Sequence, residues 1–142
     1  VLKSYGMGRK GVTPGEAFTL ATNDLVFRWP ARRYAAAHQG ATWAYELDWR
    51  SPACDGELGA CHGMELPFVF KTLDAVTGPE GIAGAAPPQD LAERTHALWV
   101  RFATDGTLPW PQFTAQDRLV YQLDKGEAVF EPEMAAARHL PV

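Results

Sequence analysis

The sequence predicts an α/β fold, because three kinds of pattern follow one another along it. Capped helical periods start near residues 13 and 90, a period-two alternation runs over 42–49, and two short apolar runs occupy 119–123 and 128–130. At 46% hydrophobic and 21% charged, the 142 residues have enough apolar surface for one buried core, and that balance excludes a disordered chain. A single domain spanning residues 1–142 is expected.

The first helix starts at Thr13-Pro14-Gly15-Glu16. A threonine whose hydroxyl caps a helix, a carboxylate three residues on, and proline at the first helical position together form a capping box. Phe18, Ala21, Leu25 and Val26 supply an apolar stripe, and Pro30 kinks the helix or restarts it through Ala35, Ala36 and Ala37. Gly40 is placed to end it in a left-handed cap.

From Thr42 to Trp49 the alternation predicts a strand with Trp43, Tyr45, Leu47 and Trp49 on its apolar face. Residues 50–63 read as a loop, and Met64–Leu73 as a short apolar helix starting near Pro67. Residues 74–88, carrying Gly78, Pro79, Gly81, Gly84, Pro87 and Pro88, predict a surface excursion. Asp90 and Glu93 then open a helix with Leu91, Leu98 and Phe102 on one side, flanked by Trp99 and Ala103, and Gly106 closes it. Past Pro109-Trp110-Pro111, residues 119–123 and 128–130 predict two strands joined across Asp124-Lys125-Gly126, with a helical tail from Met134 to Arg138. There is no internal repeat.

Charge and hydropathy remove several classes of function. The net charge is −4, and the basic residues are scattered apart from Arg9-Lys10 and Arg32-Arg33, so no nucleic-acid partner is expected. No apolar run approaches the roughly 20 residues of a membrane span. The first residue is Val1 rather than Met, which predicts a chain processed or cut from something longer. Cys54 and Cys61 share one loop and read as free thiols of a cytoplasmic protein, with a disulfide between them as the less favoured alternative.

The chemistry concentrates in Gly59-Ala60-Cys61-His62-Gly63-Met64-Glu65-Leu66-Pro67-Phe68-Val69-Phe70. A histidine with glycine three before and one after can project its ring from a turn, as a general base must, although a lone histidine in such a pattern is more often a packing or surface residue. Glu65 at His-x-x-Glu spacing, with Cys61, Cys54 and Glu57 nearby, falls short of a zinc signature, so no metal is expected and Glu65 reads as a helix-start carboxylate. Cys61 beside His62 reads as a small buried thiol, because neighbouring side chains on an extended loop diverge. Gly6, Gly8 and Gly11 formally fit a dinucleotide fingerprint, but the preceding stretch carries Lys3 and Ser4 and the next strand's Asp48 lies 37 residues beyond Gly11, against a spacing of roughly 20. His38, His96 and His139 read as surface residues. Trp43, Trp49 and Trp99 read as core, and Trp29 and Trp110 as loop pins.

Those twelve residues resemble the histidine loop of type-B carboxylesterases, the family of cholinesterases and bacterial para-nitrobenzyl esterases. The resemblance extends to Asn23-Asp24-Leu25-Val26-Phe27 with Pro30, to Trp43-Ala44-Tyr45-Glu46-Leu47, and to Trp99-Val100-Arg101-Phe102-Ala103 with Gly106 and Pro109-Trp110-Pro111. It therefore covers nearly the whole chain. It implies the C-terminal portion of an α/β-hydrolase fold, with a serine, an acid and a histidine arriving in that chain order. His62 matches the histidine, and ester hydrolysis through an acyl-enzyme without metal or organic cofactor is the implied chemistry.

The chain departs from the family in its serines. Ser4 and Ser51 are the only two, and neither centres a G-x-S-x-G elbow. The expectation is a catalytically silent piece whose nucleophile and acid lie upstream. Its partners would be a small-molecule ester, the missing N-terminal part and other copies of itself. Met64 and Phe68 are expected to reach the pocket. The alternative is a non-catalytic binding or assembly module in which His62 is incidental.

Overall fold

The structure is a computed structural model and describes residues 1–140; Pro141 and Val142 of the expected domain lie outside the described residues. The chain divides into two compact units. One comprises Val1–Ala44, Gln112–Leu119 and the chain from Phe130, and the other Tyr45–Pro111 with Val120–Val129.

The first unit is helical. Its helix α1 (Pro14–Asn23) begins at the predicted capping box, in which Thr13 Oγ1 accepts from the Glu16 amide at 3.1 Å and Glu16 Oε2 accepts from the Thr13 amide at 2.7 Å. The buried positions are Ala17, Ala21 and Asp24, whereas Phe18 and Val26 are 62% and 54% exposed. Of the expected stripe Ala21 faces inward, but Phe18 and Val26 do not, and Ala17 takes the place next to Ala21. A π-helical turn (Asp24–Arg28) joins α1 to α2 (Trp29–Ala37). Pro30 has no amide to donate and its ring crowds the carbonyl four residues back; the wider turn, in which Trp29 N–H reaches Asp24 O, accommodates it without ending the helix. The predicted cap at Gly40 is not used. His38 N–H donates to Tyr34 O at 3.0 Å, and His38 itself takes the extended conformation that ends α2. Trp29 sits on α2 under the Arg33 guanidinium rather than pinning a loop.

The second unit carries a core of Met64, Phe68, Leu73, Ala83, Leu91, Ala92 and Leu123, against which Leu47, Trp49, Leu98, Trp99 and Tyr121 pack. Burying one side chain the size of Phe68 contributes about 1.5–3 kcal/mol. The short α3 (Glu65–Val69) precedes the long α4 (Gln89–Asp105), and the two pack together. Gly106, at φ 66°, closes α4 by donating to Phe102 O, as its sequence position predicts. The 74–88 stretch runs as turns, but Ala83 within it is fully buried. Trp110 is buried and stacks on Tyr121, with centroids 4.0 Å apart, and so contributes to packing.

The sheet has the order β1-β2-β3, with β1 (Ala44–Glu46), β2 (Leu119–Gln122) and β3 (Glu127–Phe130). β2 and β3 form the predicted hairpin, closed by Gly126 N–H on Gln122 O at 2.8 Å. β1 is much shorter than the alternation implies, and Ala44 rather than Tyr45 is its buried residue. Leu47 and Trp49 leave the ladder because their side chains are drawn onto the core, Trp49 meeting Phe68 edge-on at 5.2 Å. Among the described residues no helix is long and apolar enough to cross a membrane.

Candidate functional site

The histidine loop is built from two constraints. An antiparallel bridge between Ser51 and Gly59 closes its first half, with Ser51 N–H on Gly59 O at 3.0 Å. Gly59 is buried at φ 58°, and a Cβ there would come within 3.3 Å of the Arg50 guanidinium, so the turn accepts a side chain only if Arg50 yields. Inside the loop Cys54 and Asp55 both take left-handed conformations around a short 3₁₀ turn.

The second half presents His62. Cys61 is half-buried against the core, Met64 is buried, and between them His62 stands exposed on a turn with Gly63 at φ 76°. Met64 N–H donates to Cys61 O at 3.2 Å and Leu66 N–H to Gly63 O at 3.1 Å, which leads the chain directly into α3. With its neighbours on either side held inward, the imidazole is directed outward.

Met64 and Phe68, expected at a pocket, are 1% and 0% exposed and belong to the core. On α3 and at its end the exposed apolar side chains are instead Leu66 and Phe70. Glu65 opens α3, where its charge favours the helix dipole. Partial burial against its neighbours, and after it the charge on Glu65, pushes the Tyr45 phenol up from its ordinary value, while the Tyr45 ring meets Trp99 edge-on at 4.8 Å.

Cys54 and Cys61 are free thiols, and among the described residues no three His, Cys, Asp or Glu side chains converge as a metal site. Ser51 is buried, and its Oγ donates to Ile82 O at 2.5 Å while accepting from Ala53 N–H at 3.0 Å. That hydroxyl is committed to holding the loop. Ser4 lies in a 3₁₀ turn, Leu2–Tyr5, and the same turn occupies the place where a dinucleotide fingerprint needs a strand.

His96 departs from its surface reading: it is half-buried, and its Nδ1 lies 2.8 Å from Val69 O at the end of α3. The signal in the sequence is its place on α4 beside the inward-facing Ala92 and Thr95. His38 stacks on Tyr34 and pairs with Thr42 Oγ1, and His139 is exposed.

Known proteins resemble the chain over most of its length. The chain is 32% identical to a phenmedipham hydrolase of Pseudarthrobacter oxydans over 93% of its own length and 29% of that protein's. It is 34% identical to a para-nitrobenzyl esterase of Bacillus subtilis (strain 168) over 71% of its length and 22% of that protein's. The chain therefore spans less than a third of the length of these relatives. Among solved structures, a PNB esterase matches with a TM-score of 0.69 at 24% identity, covering 92% of this chain and 28% of that one. A carboxylesterase of Geobacillus stearothermophilus matches with a TM-score of 0.65 at 23% identity, covering 86% of this chain and 27% of that one. The fold is accordingly that of part of an α/β-hydrolase. The description of the carboxylesterase family fits residues 3–138, and the chain belongs to that family.

Proposed function

We propose that this chain is the C-terminal part of a serine carboxylesterase and supplies its general base, His62. The observation that carries the reading is an exposed imidazole, held on a glycine-bearing turn between half-buried Cys61 and buried Met64, in a chain of the carboxylesterase family. In this reading His62 takes the proton of a serine hydroxyl as that oxygen attacks the ester carbonyl, and returns it to the departing alcohol. A water molecule then repeats the sequence to free the acid.

The serine and the acid that orients His62 belong to a part of the parent protein that precedes Val1. Two facts support this: the relatives are more than three times longer, and Ser51 is locked in loop hydrogen bonds. Substrates are small carboxylic esters, and no metal or organic cofactor takes part. The free thiols of Cys54 and Cys61 favour a reducing, cytoplasmic setting.

The test is a full-length parent carrying His62→Ala. Turnover should fall by at least about 10³-fold with the fold intact. An organophosphonate directed at serine hydrolases should label the parent but not the 142-residue piece. Full activity in the variant, or strong labelling of the piece, would overturn the assignment and favour a non-catalytic module.

A further inference from the structure

The helix that follows His62 is too short to hold itself. α3 has five residues, where isolated helices in water need roughly 12–15 to be even marginally stable. Its direction is therefore set by what it touches. Met64, Pro67, Phe68 and Val69 are buried and provide an apolar anchor, which resists separation but directs little. Its last carbonyls need partners: Leu66 O accepts from Phe70 N–H and Pro67 O from Thr72 N–H, each at 2.9 Å. Val69 O receives His96 Nδ1 at 2.8 Å.

A carbonyl can only accept, so His96 Nδ1 carries the proton. Both the neutral Nδ1–H tautomer and the imidazolium make this bond, and neither ring state breaks it. His96 stands within the seventeen-residue α4, capped at Gly106, so the donor is mounted on the most regular element of its unit.

We propose that His96 is a positioning residue for His62. Its bond to Val69 O fixes the far end of α3 on α4. Because Glu65, the first residue of α3, lies three residues after His62 and the turn between them is hydrogen-bonded at both Met64 and Leu66, fixing α3 fixes where the imidazole points. The inference rests on His62 being the general base, but its structural half is tested without that.

In the 142-residue chain, hydrogen exchange at the Met64 and Leu66 amides is compared among wild type, His96→Leu and His96→Asn, with β2–β3 hairpin amides as the folding control. Asparagine places its amide donor near the Nδ1 position. His96→Leu should speed exchange at Met64 and Leu66 about ten-fold while the hairpin is unmoved, and His96→Asn should restore protection. In the full-length parent, His96→Leu should lower kcat by about ten- to a hundred-fold with KM little changed, as a displaced catalytic group does, and His96→Asn should recover most of it. Unchanged exchange at Met64 and Leu66, or equal loss in both variants, overturns the proposal. An inactive role for His62 would instead appear as full activity of His62→Ala with the exchange result intact, so the two failures are separable.

Discussion

Arg32 reaches across ninety-nine positions of sequence to Glu131: its Nε lies 2.9 Å from Oε2 and its Nη2 3.1 Å from Oε1, a two-pronged pair. Arg28 Nη2 joins the same carboxylate at 2.9 Å and holds Asp24 with its other nitrogen at 2.7 Å. Glu131 is buried, so removing it strands the Arg32 charge where water cannot fully solvate it. Glu131→Ala should therefore cost about 3 kcal/mol, the lower end for a broken buried pair because Arg28 remains partly in solvent and keeps Asp24. Urea unfolding of the variant would measure it. A change within about 0.5 kcal/mol, the scatter of ordinary surface substitutions, would show that the cluster contributes no net stability.

Tyr5 completes that cluster, its Oη donating to Asp24 Oδ2 at 2.6 Å and accepting from Ala136 N–H at 2.9 Å. Burial first, and then the hydrogen bond to Asp24, push its phenol up from 10.0 to about 12. The protonated phenol is the form that the fold favours, so its contribution is complete below pH 10, where the unfolded chain also keeps the proton. It declines as pH rises through the interval to about 12. Stability should fall over that interval in wild type more steeply than in Tyr5→Phe. Parallel alkaline unfolding curves for the two proteins would contradict this.

At the start of α1, Thr13→Ala removes the acceptor for the Glu16 amide and should cost about 1 kcal/mol. Thr13→Ser keeps the hydroxyl and should be nearly neutral. Thermal melts of the pair separate loss of the cap from loss of the methyl group.

Ser51→Ala tests whether the hydroxyl is structural. Ile82 O would lose its donor and Ala53 N–H its acceptor, at about 1–3 kcal/mol, while organophosphonate labelling of the full-length parent should be unaffected. Loss of labelling in a folded Ser51→Ala parent would make Ser51 the nucleophile.

Phe18, Leu20, Val26, Phe27 and Tyr34 are each more than half exposed along α1, the π turn and α2. Side chains of this size left in water favour association, and the 142-residue chain by itself should bind a hydrophobic dye and sediment as oligomers. Replacing Phe18 and Phe27 by serine should reduce both signals. A dye-silent monomer at micromolar concentration would count against the exposed face as an association surface.

The sequence by itself determined the features whose partners lie within a few residues. The Thr13–Glu16 capping box, the Gly106 closure of α4 and the hairpin across Asp124-Lys125-Gly126 depend on local hydrogen bonds and on one glycine at positive φ, and all three stand where the residues placed them. The glycine-bearing turn at His62 was legible for the same reason, as was the family, whose motifs are contiguous blocks. Tertiary structure alone decided the features that depend on distant groups. It selected Ala17 over Phe18 as the partner of Ala21 on the inward face of α1, stopped β1 at Glu46 so that Leu47 and Trp49 could meet the core, and turned His96 toward Val69. It also joined Arg32 to Glu131. Periodicity describes the faces of an element, whereas which face is buried follows from the groups that other segments bring against it.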